Sequence, residues 1–237
     1  MENPDRPVRK ENVGISMYSL AFDTTAAACS IALLCDDKPV ASFSRLMDFG
    51  QSELLIPEIR NILEQNNLTF ADLRLLTVCT GPGSFTGVRA GISAARSFGI
   101  ACPELTVCGV DAFAAYAVHW AYNPEEIADF NLVVIETKRE DFYYQIFDKS
   151  LKPLTEPSAA MFEDILPQLR YKKVSIIGDG VERFLMRPTN LSLHCIGRMD
   201  ALPVEYLGAA GLRQFRAKRT DYPKPLYLRA PDVCVKA

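Results

Sequence analysis

The most constraining feature of the sequence is a glycine-rich segment between a strand-like run and a helix-like run. Residues 81–87 read GPGSFTG, with the apolar run LLTVC before them and a Gly-, Ala- and Ser-rich helix predicted over 88–101. Glycine makes tight turns at little steric cost, and the free N–H groups at a helix start can bind an anion. The segment lacks the lysine that a Walker-type loop uses on phosphates. A structural connection that needs close packing is therefore the favoured interpretation, and an anion site is the alternative.

The runs around this segment predict an α/β protein with two similar halves. Three short apolar runs, 17–22, 29–35 and 40–43, predict an antiparallel meander at the start of a sheet. A helix is predicted over 51–66, with Ser52 as its N-cap and Pro57 near its first turn. Further strands are predicted at 75–79, 132–137, 141–148, 174–177 and 191–196, and further helices at 110–122, 159–169 and 204–218.

We expect this pattern to divide the chain into two lobes. Residues 1–16 are polar and charged and are expected to be a disordered extension. Residues 17–117 are expected to form an N-terminal lobe and 118–219 a C-terminal lobe, with the tail 220–237 returning to the first lobe. No uninterrupted apolar stretch approaches the length of a bilayer span, which argues against a membrane segment.

Charge and cysteine content narrow the functional class. The net charge is −3 and the sequence pI is near 5.5, so the whole chain is not an electrostatic nucleic-acid binder. Its 7 cysteines contain no C-x-x-C pair, which is typical of a protein of the reducing cytoplasm. The basic end of the last helix, 213–219, is interpreted as a solvated helix terminus, with an RNA- or partner-facing patch as the alternative.

Two polar segments that follow predicted strands are the candidate ligand sites. A hairpin loop at the end of the first strand can bind phosphate, and its carboxylate can hold a Mg²⁺-bound water. Each segment has a plain alternative, since such residues also close turns and end strands. His119 and His194 are interpreted as packing residues, and no Ser-His-Asp, Cys-His or paired-carboxylate arrangement is visible. The candidate residues next to a nucleotide or phosphate are Asp23, Thr24, Thr25, Gly178, Asp179 and Gly180.

Four stretches of the sequence resemble the TsaB (YeaZ) family in order and spacing. They are LAFDTTAAACSIALL, QSELLIPEI, VCTGPGSFTGVRAGISAARSFGIA and the tail PLYLRAPDV, whereas 118–219 matches only loosely. The resemblance implies the two-lobed fold of the actin-like ATPase and sugar-kinase superfamily, with mixed sheets flanked by helices. It also implies that the chain is a partner of a TsaD-type catalytic subunit and a TsaE-type ATPase, which together make N6-threonylcarbamoyladenosine beside the tRNA anticodon.

The resemblance further implies that this chain is the non-catalytic scaffold subunit. TsaD-type catalysts bind metal through an H-x-x-x-H pair on the helix that joins the lobes, and the matching region 110–116 reads VDAFAAY. We therefore expect no catalytic residue, metal or cofactor here, with ATP and metal held by the partner subunits and tRNA bound mainly through them. The first two helices are expected to dock the catalytic subunit or a second copy of the chain. The expected interface residues are Ser52, Leu55, Ile59, Ile62, Gly83, Phe85, Val88, Arg89 and Ile92.

Two observations leave alternatives open. Gln51 stands where many relatives have a histidine ahead of the first helix, which puts the partner contacts in doubt. The competing function is a stand-alone enzyme, either an ATP-binding kinase or ATPase of the same superfamily or a glycoprotease-like peptidase. A kinase needs a second carboxylate as catalytic base and a full phosphate loop, and a metallopeptidase needs metal ligands.

Overall fold

The first half of the molecule is built around a mixed five-stranded sheet. The computed structural model describes residues 17–47 and 49–229, so the predicted extension 1–16 and the tail beyond 229 lie outside the described residues. The predicted meander is confirmed: β1 pairs antiparallel with β2, and β2 with β3, while β4 and β5 run parallel to β1. The strands are β1 Tyr18–Asp23, β2 Ala28–Cys35, β3 Lys38–Leu46, β4 Leu73–Cys79 and β5 Thr106–Val110.

The second half repeats the topology of the first. The two sheets have the orders β3-β2-β1-β4-β5 and β8-β7-β6-β9-β10, so each begins with an antiparallel hairpin and ends with two parallel strands. The predicted fold class, α/β with two related lobes, is therefore confirmed. The second set of strands is β6 Phe130–Glu136, β7 Phe142–Phe147, β8 Ser158–Ala160, β9 Lys173–Gly178 and β10 Ser192–Arg198.

Six α-helices accompany the sheets in the described part of the chain. They are α1 Gln51–Gln65, α2 Phe85–Ala101, α3 Ala112–Tyr122, α4 Phe162–Ile165, α5 Val181–Leu185 and α6 Val204–Arg216. Short 3₁₀ turns lie at Phe70–Asp72, Pro124–Glu126 and Leu166–Leu169. None of the helices within the described ranges has the length and apolar character needed to cross a membrane.

The start of the first helix differs from the prediction. Gly50, with φ of 88°, precedes α1, so Ser52 is not its N-cap. Pro57 lies inside the helix rather than in its first turn. The helix tolerates this proline because Pro57 is exposed, and water can bind the carbonyl that lost its partner. Helix α2 also begins earlier than predicted, because the Ser84 side chain accepts a hydrogen bond from the Gly87 N–H (3.3 Å) and caps its start.

One other predicted helix begins two residues later than expected, one was wrong, and one short helix was not predicted. The range 110–122 contains the end of strand β5 and then α3, because Asp111 caps the helix by accepting a hydrogen bond from Ala114 N–H (2.8 Å). The range 159–169 is not one helix but the end of β8, the short α4 and a 3₁₀ turn that contains Pro167. Helix α5 was not predicted, since five residues carry too little periodicity.

Helix α6 packs on the first sheet, although its range was expected to belong to the second lobe. A Cβ on Gly208 would lie 2.6 Å from Leu34 Cδ1, and one on Gly211 would lie 2.0 Å from Thr77 Oγ1. These glycines therefore let the helix approach β2 and β4 closely. Helix α6 therefore contacts the first lobe, and the division of the chain at 118–219 stays a prediction.

Candidate functional site

A cleft of about 720 Å³ lies between the two lobes. The hairpin loops β1–β2 and β6–β7 both open into it, together with residues of the glycine-rich segment and the C-terminal tail. Of the six residues predicted next to a nucleotide or phosphate, the cleft lining includes Asp23, Thr25 and Asp179. Gly178 lines a neighbouring cavity of about 470 Å³. The two candidate segments, far apart in sequence, are thus brought to one cleft.

Asp23 is a buried carboxyl group at the end of β1. Its side chain is only 4% exposed, and its Oδ1 accepts a hydrogen bond from the Thr25 N–H (2.7 Å). Burial raises the pKa of Asp23, and hydrogen bonds from Thr25 and Cys79 offset that rise only in part. The first hairpin loop therefore holds a carboxyl group that ionises less readily than an exposed aspartate.

Asp179 is the counterpart from the second lobe. Its Oδ1 accepts a hydrogen bond from the Glu136 N–H (2.9 Å), and burial raises its pKa to about 7, with the charges of Glu136 and Asp23 adding to the rise. The fully packed Tyr116 of α3 lies near both aspartates, since burial and then the charges of Asp179 and Asp23 raise the pKa of its hydroxyl. The floor of the cleft thus carries two buried carboxyl groups and a buried phenol, and burial raises the pKa of all three.

The glycine-rich segment packs directly on the first hairpin loop. A Cβ on Gly83 would lie 2.3 Å from Thr25 O, and one on Gly87 would lie 1.9 Å from Thr24 O. The Ser84 N–H donates to Thr25 O (2.7 Å), and the Thr24 hydroxyl donates to Gly87 O (2.8 Å). Close backbone packing explains why glycine is needed at these positions, which supports the structural interpretation of GPGSFTG.

The second hairpin loop contains a carboxylate that sequence reasoning missed. Glu136 ends β6 as Asp23 ends β1, and its Oε1 accepts hydrogen bonds from the Thr137 N–H (2.8 Å) and the Lys138 N–H (2.6 Å). Arg183 of α5 binds the same carboxylate through Nε to Oε2 (2.7 Å) and Nη2 to Oε1 (2.8 Å). The repeated strand pattern could have pointed to Glu136, but no sequence signal joins it to Arg183.

The C-terminal tail connects both lobes at the mouth of the cleft. The Leu226 N–H donates to Thr80 O (2.8 Å) in the first lobe, and the Tyr227 ring stacks on Phe85 with centroids 4.8 Å apart. Two residues further on, Arg229 forms an ion pair with Asp141 in the second hairpin. The tail therefore ties the start of α2 to the second lobe.

The expected interface residues separate into two groups. Ser52, Phe85 and Arg89 are exposed and Gly83 is half-buried, as a docking surface requires. The other five apolar side chains are packed inside the first lobe, so direct contact with a partner is corrected to a core role for Leu55, Ile59, Ile62, Val88 and Ile92. An apolar helix face predicts burial, but it does not say whether the same chain or a partner supplies the covering surface.

An exposed aromatic cluster surrounds the mouth of the cleft on the first lobe. Phe49, Phe85 and Tyr227 all line the cleft and are 87%, 36% and 43% exposed. The guanidinium of Arg89 lies over the Phe85 ring, 5.1 Å from its centroid. We call these four residues the aromatic lip. Exposed aromatic side chains beside an arginine are typical of protein–protein contact sites.

The histidines have structural partners. His119 Nε2 lies 2.6 Å from Glu126 Oε2 and its Nδ1 lies 3.2 Å from the Tyr206 hydroxyl, while His194 Nε2 lies 3.0 Å from Glu125 O. In the described ranges, 17–47 and 49–229, no three His, Cys, Asp or Glu side chains are grouped as metal ligands. At the basic end of α6, Arg213 lies over the ring of Tyr122, 5.4 Å from its centroid.

Comparison with known families and relatives points to one group of proteins. The family model described as "TsaD: tRNA N6-adenosine threonylcarbamoyltransferase" matches residues 50–201. The tRNA threonylcarbamoyladenosine biosynthesis protein TsaB of Haemophilus influenzae is 34% identical over 134 residues, which cover 52% of this chain and 56% of that protein. TsaB of Escherichia coli is 37% identical over 94 residues, 40% of each chain. The matches thus span about half the length of these curated relatives.

Solved structures agree on the fold. YeaZ from Pseudomonas aeruginosa superposes with a TM-score of 0.72 at 19% identity, covering 90% of this chain and all of that one. The (R)-2-hydroxyglutaryl-CoA dehydratase component A of Acidaminococcus fermentans superposes with a TM-score of 0.51 at 12% identity, covering 85% of this chain and 99% of that one. These superpositions confirm the predicted α/β fold with two related lobes.

Proposed function

Because the chain belongs to the tRNA N6-adenosine threonylcarbamoyltransferase (TsaD) family and to its TsaB (YeaZ) group, we propose that it acts in tRNA threonylcarbamoyladenosine biosynthesis. Its role there is that of a non-catalytic subunit that docks and activates a TsaD-type catalytic subunit. The work takes place in the cytoplasm together with a TsaE-type ATPase, and the tRNA is bound mainly through these partners.

The aromatic lip is the observation that carries this proposal. In it the exposed Phe85 ring stacks on Tyr227 of the tail and lies beneath Arg89, and the exposed Phe49 lines the same cleft. The apolar faces of α1 and α2 are already covered by their own sheet, so the lobe has a complete core below this surface. Large rings held on a finished scaffold bind a partner at low entropic cost, because their positions change little on docking.

The same surface suits a second copy of the chain in the absence of the catalytic subunit. A homodimer through the lip would be isologous, with each lip facing the other. We expect the catalytic subunit to compete with this homodimer, because both would cover Phe85 and Arg89.

The residues of the cleft favour a non-catalytic role for the chain. The glycine-rich segment, which is the nearest feature to a phosphate loop, is used for packing on Thr24 and Thr25. The family resemblance assigns the metal ligands to two histidines on the joining helix, and the matching residues 110–116, VDAFAAY, contain no histidine. We propose that ATP and the metal are held by the partner subunits. The stand-alone kinase or ATPase is the competing function, because Asp23 and Asp179 both line the cleft.

Reconstitution separates the two functions. The purified chain is mixed with its TsaD-type subunit, TsaE-type ATPase, tRNA, threonylcarbamoyl-AMP and Mg-ATP, and the modified adenosine is measured by mass spectrometry after nuclease digestion. We expect product only when this chain and the catalytic subunit are both present. The isolated chain is tested in parallel for ATP turnover and peptidase activity. Robust turnover by the isolated chain, or full modification without it, would overturn the proposal.

A further inference from the structure

The second hairpin loop is arranged around one carboxylate. Four N–H groups point at Glu136, two from the backbone of residues 137 and 138 and two from the Arg183 guanidinium, at donor–acceptor distances between 2.6 and 2.8 Å. Such short bonds between N–H groups and a negative group are the strong, charge-assisted kind. The first hairpin loop differs, since its Asp23 accepts from the Thr25 backbone and has no arginine bound to it among the contacts of the described chain.

Arg183 is fixed for this task by contacts other than the ion pair. Its Nη2 donates to Asp141 O (2.7 Å) and its Nη1 to Glu140 O (3.2 Å), so the guanidinium ties both sides of the loop together. It also lies over the ring of Phe142, 3.8 Å from the centroid. Since these contacts do not involve Glu136, they hold the guanidinium in the same place if the carboxylate is removed.

Consecutive backbone N–H groups beside a guanidinium make a concave site for an oxyanion such as phosphate or a carboxylate. We infer that the second hairpin loop is an oxyanion-binding site whose occupant is the protein's own Glu136 carboxylate. The loop borders the cleft, since Glu136, Thr137 and Lys138 all belong to its lining. An external phosphate group therefore meets a site that is already filled, and the second lobe is closed to phosphate from within the chain.

An ordinary salt bridge makes a different prediction from a filled anion site. If Glu136 only pairs with Arg183, its removal lowers stability, and added oxyanions act on the variant as they act on any protein. If Glu136 fills a site, a small oxyanion replaces the missing carboxylate and specifically stabilises the variant. This inference does not depend on docking of a partner, so it can fail while the proposed function stands.

The test is chemical rescue of Glu136→Ala by formate and by inorganic phosphate, with chloride at matched ionic strength. The thermal unfolding midpoint of the isolated chain is measured for wild type, Glu136→Ala and the double variant Glu136→Ala/Arg183→Ala. Glu163→Ala is the matched control, because Glu163 pairs with Arg187 (2.7 Å) on the exposed surface without backbone donors in that contact. The general stabilising effect of phosphate on proteins is read from this control.

We expect Glu136→Ala to unfold at a lower temperature in chloride and to recover several degrees in formate or phosphate. At an anion concentration ten times its Kd, the folding equilibrium shifts about tenfold. The wild type, the double variant and Glu163→Ala should show only the general salt effect. An equal response of Glu136→Ala and Glu163→Ala to both oxyanions would overturn the inference, and so would a Glu136→Ala chain that stays unfolded in both.

Discussion

The two hairpin loops occupy the same place in the two lobes, yet their carboxyl groups have different surroundings. Asp23 is buried beneath the glycine-rich segment, and burial raises its pKa. Glu136 is partly exposed and is held by Arg183 and two backbone N–H groups. The repeated fold therefore determines where an acidic group stands, and the side chains packed around it determine its chemical state. A two-lobed fold of this type does not by itself make two equivalent ligand loops.

The largest effect should come from Asp179, whose side chain accepts a hydrogen bond from the Glu136 N–H of the second hairpin loop. A carboxyl group whose pKa is raised in the folded state gives stability that is present at low pH and lost as the pH rises through that pKa. For Asp179 this stability is lost between about pH 4 and about pH 7. Its pKa rises from 3.8 to about 7 on folding, which corresponds to about 4 kcal/mol of unfolding free energy. Asp179→Asn should remove this loss, because the amide oxygen still accepts from Glu136 N–H. Urea unfolding of both proteins at pH 5 and pH 8 measures the difference.

Asp200→Asn is the control for that experiment, since Asp200 is an exposed residue of the same cleft. It should keep the wild-type dependence of unfolding free energy on pH. If Asp179→Asn also keeps that dependence, burial does not raise the pKa of Asp179 in the folded protein.

The next effect concerns the packing that closes the first loop. Gly87→Ala should lower the free energy of unfolding by about 3 kcal/mol, because the added Cβ would lie 1.9 Å from Thr24 O. Thr86→Ala, one residue away on the exposed side of α2, should be close to neutral. Chemical denaturation measures both. A Gly87→Ala protein as stable as Thr86→Ala would show that α2 does not pack tightly on the first hairpin loop.

The stability of the second hairpin loop should depend on the positive charge of Arg183. Arg183→Met should cost about 2 kcal/mol, because it leaves Glu136 without a counter-charge in a site that is 26% exposed. Arg187→Met removes the partner of the exposed Glu163 and should cost less than about 1 kcal/mol. Denaturation curves at low and high salt compare the two, and equal costs would contradict the special position of Arg183.

The smallest effect should appear where the tail joins the two lobes. Arg229→Ala removes the ion pair with Asp141 and should loosen the tail by about 1 kcal/mol. The Leu226 amide, which donates to Thr80 O, should then exchange its hydrogen about fivefold faster. Arg219→Ala, at an exposed residue three positions after the end of α6, serves as the control. Unchanged exchange at Leu226 would mean that the tail is held by the first lobe alone.

The sequence carried more information about the lobes than about their surfaces. Alternating and continuous apolar runs predicted the meander and most strands, because burial in a sheet leaves a local pattern. The motif around Asp23 and the one around Asp179 were found from their positions after strands. The pair Glu136–Arg183 was not, because its members are 47 residues apart and meet only in the folded lobe.

The expected interface residues also show that a sequence pattern predicts burial without showing which surface covers the buried residues. The apolar positions of α1 and α2 were recognised correctly as residues that must be covered, but the covering surface is the first sheet. The exposed rings Phe49 and Tyr227 lie outside the helical pattern, so no periodicity marks them. The sequence also did not show which sheet α6 packs on, because its small residues allow close packing on either one.

The most direct test of docking through the aromatic lip is the affinity of the chain for its TsaD-type subunit, measured by titration calorimetry with wild type, Phe85→Ala and Tyr171→Ala. Tyr171 is a fully exposed aromatic residue of the second lobe, with a relative exposure of 101%, and serves as the matched control. The account predicts that Phe85→Ala binds at least about tenfold more weakly, equivalent to about 1.4 kcal/mol, and that Tyr171→Ala binds like the wild type. Equal affinities of Phe85→Ala and wild type would contradict it.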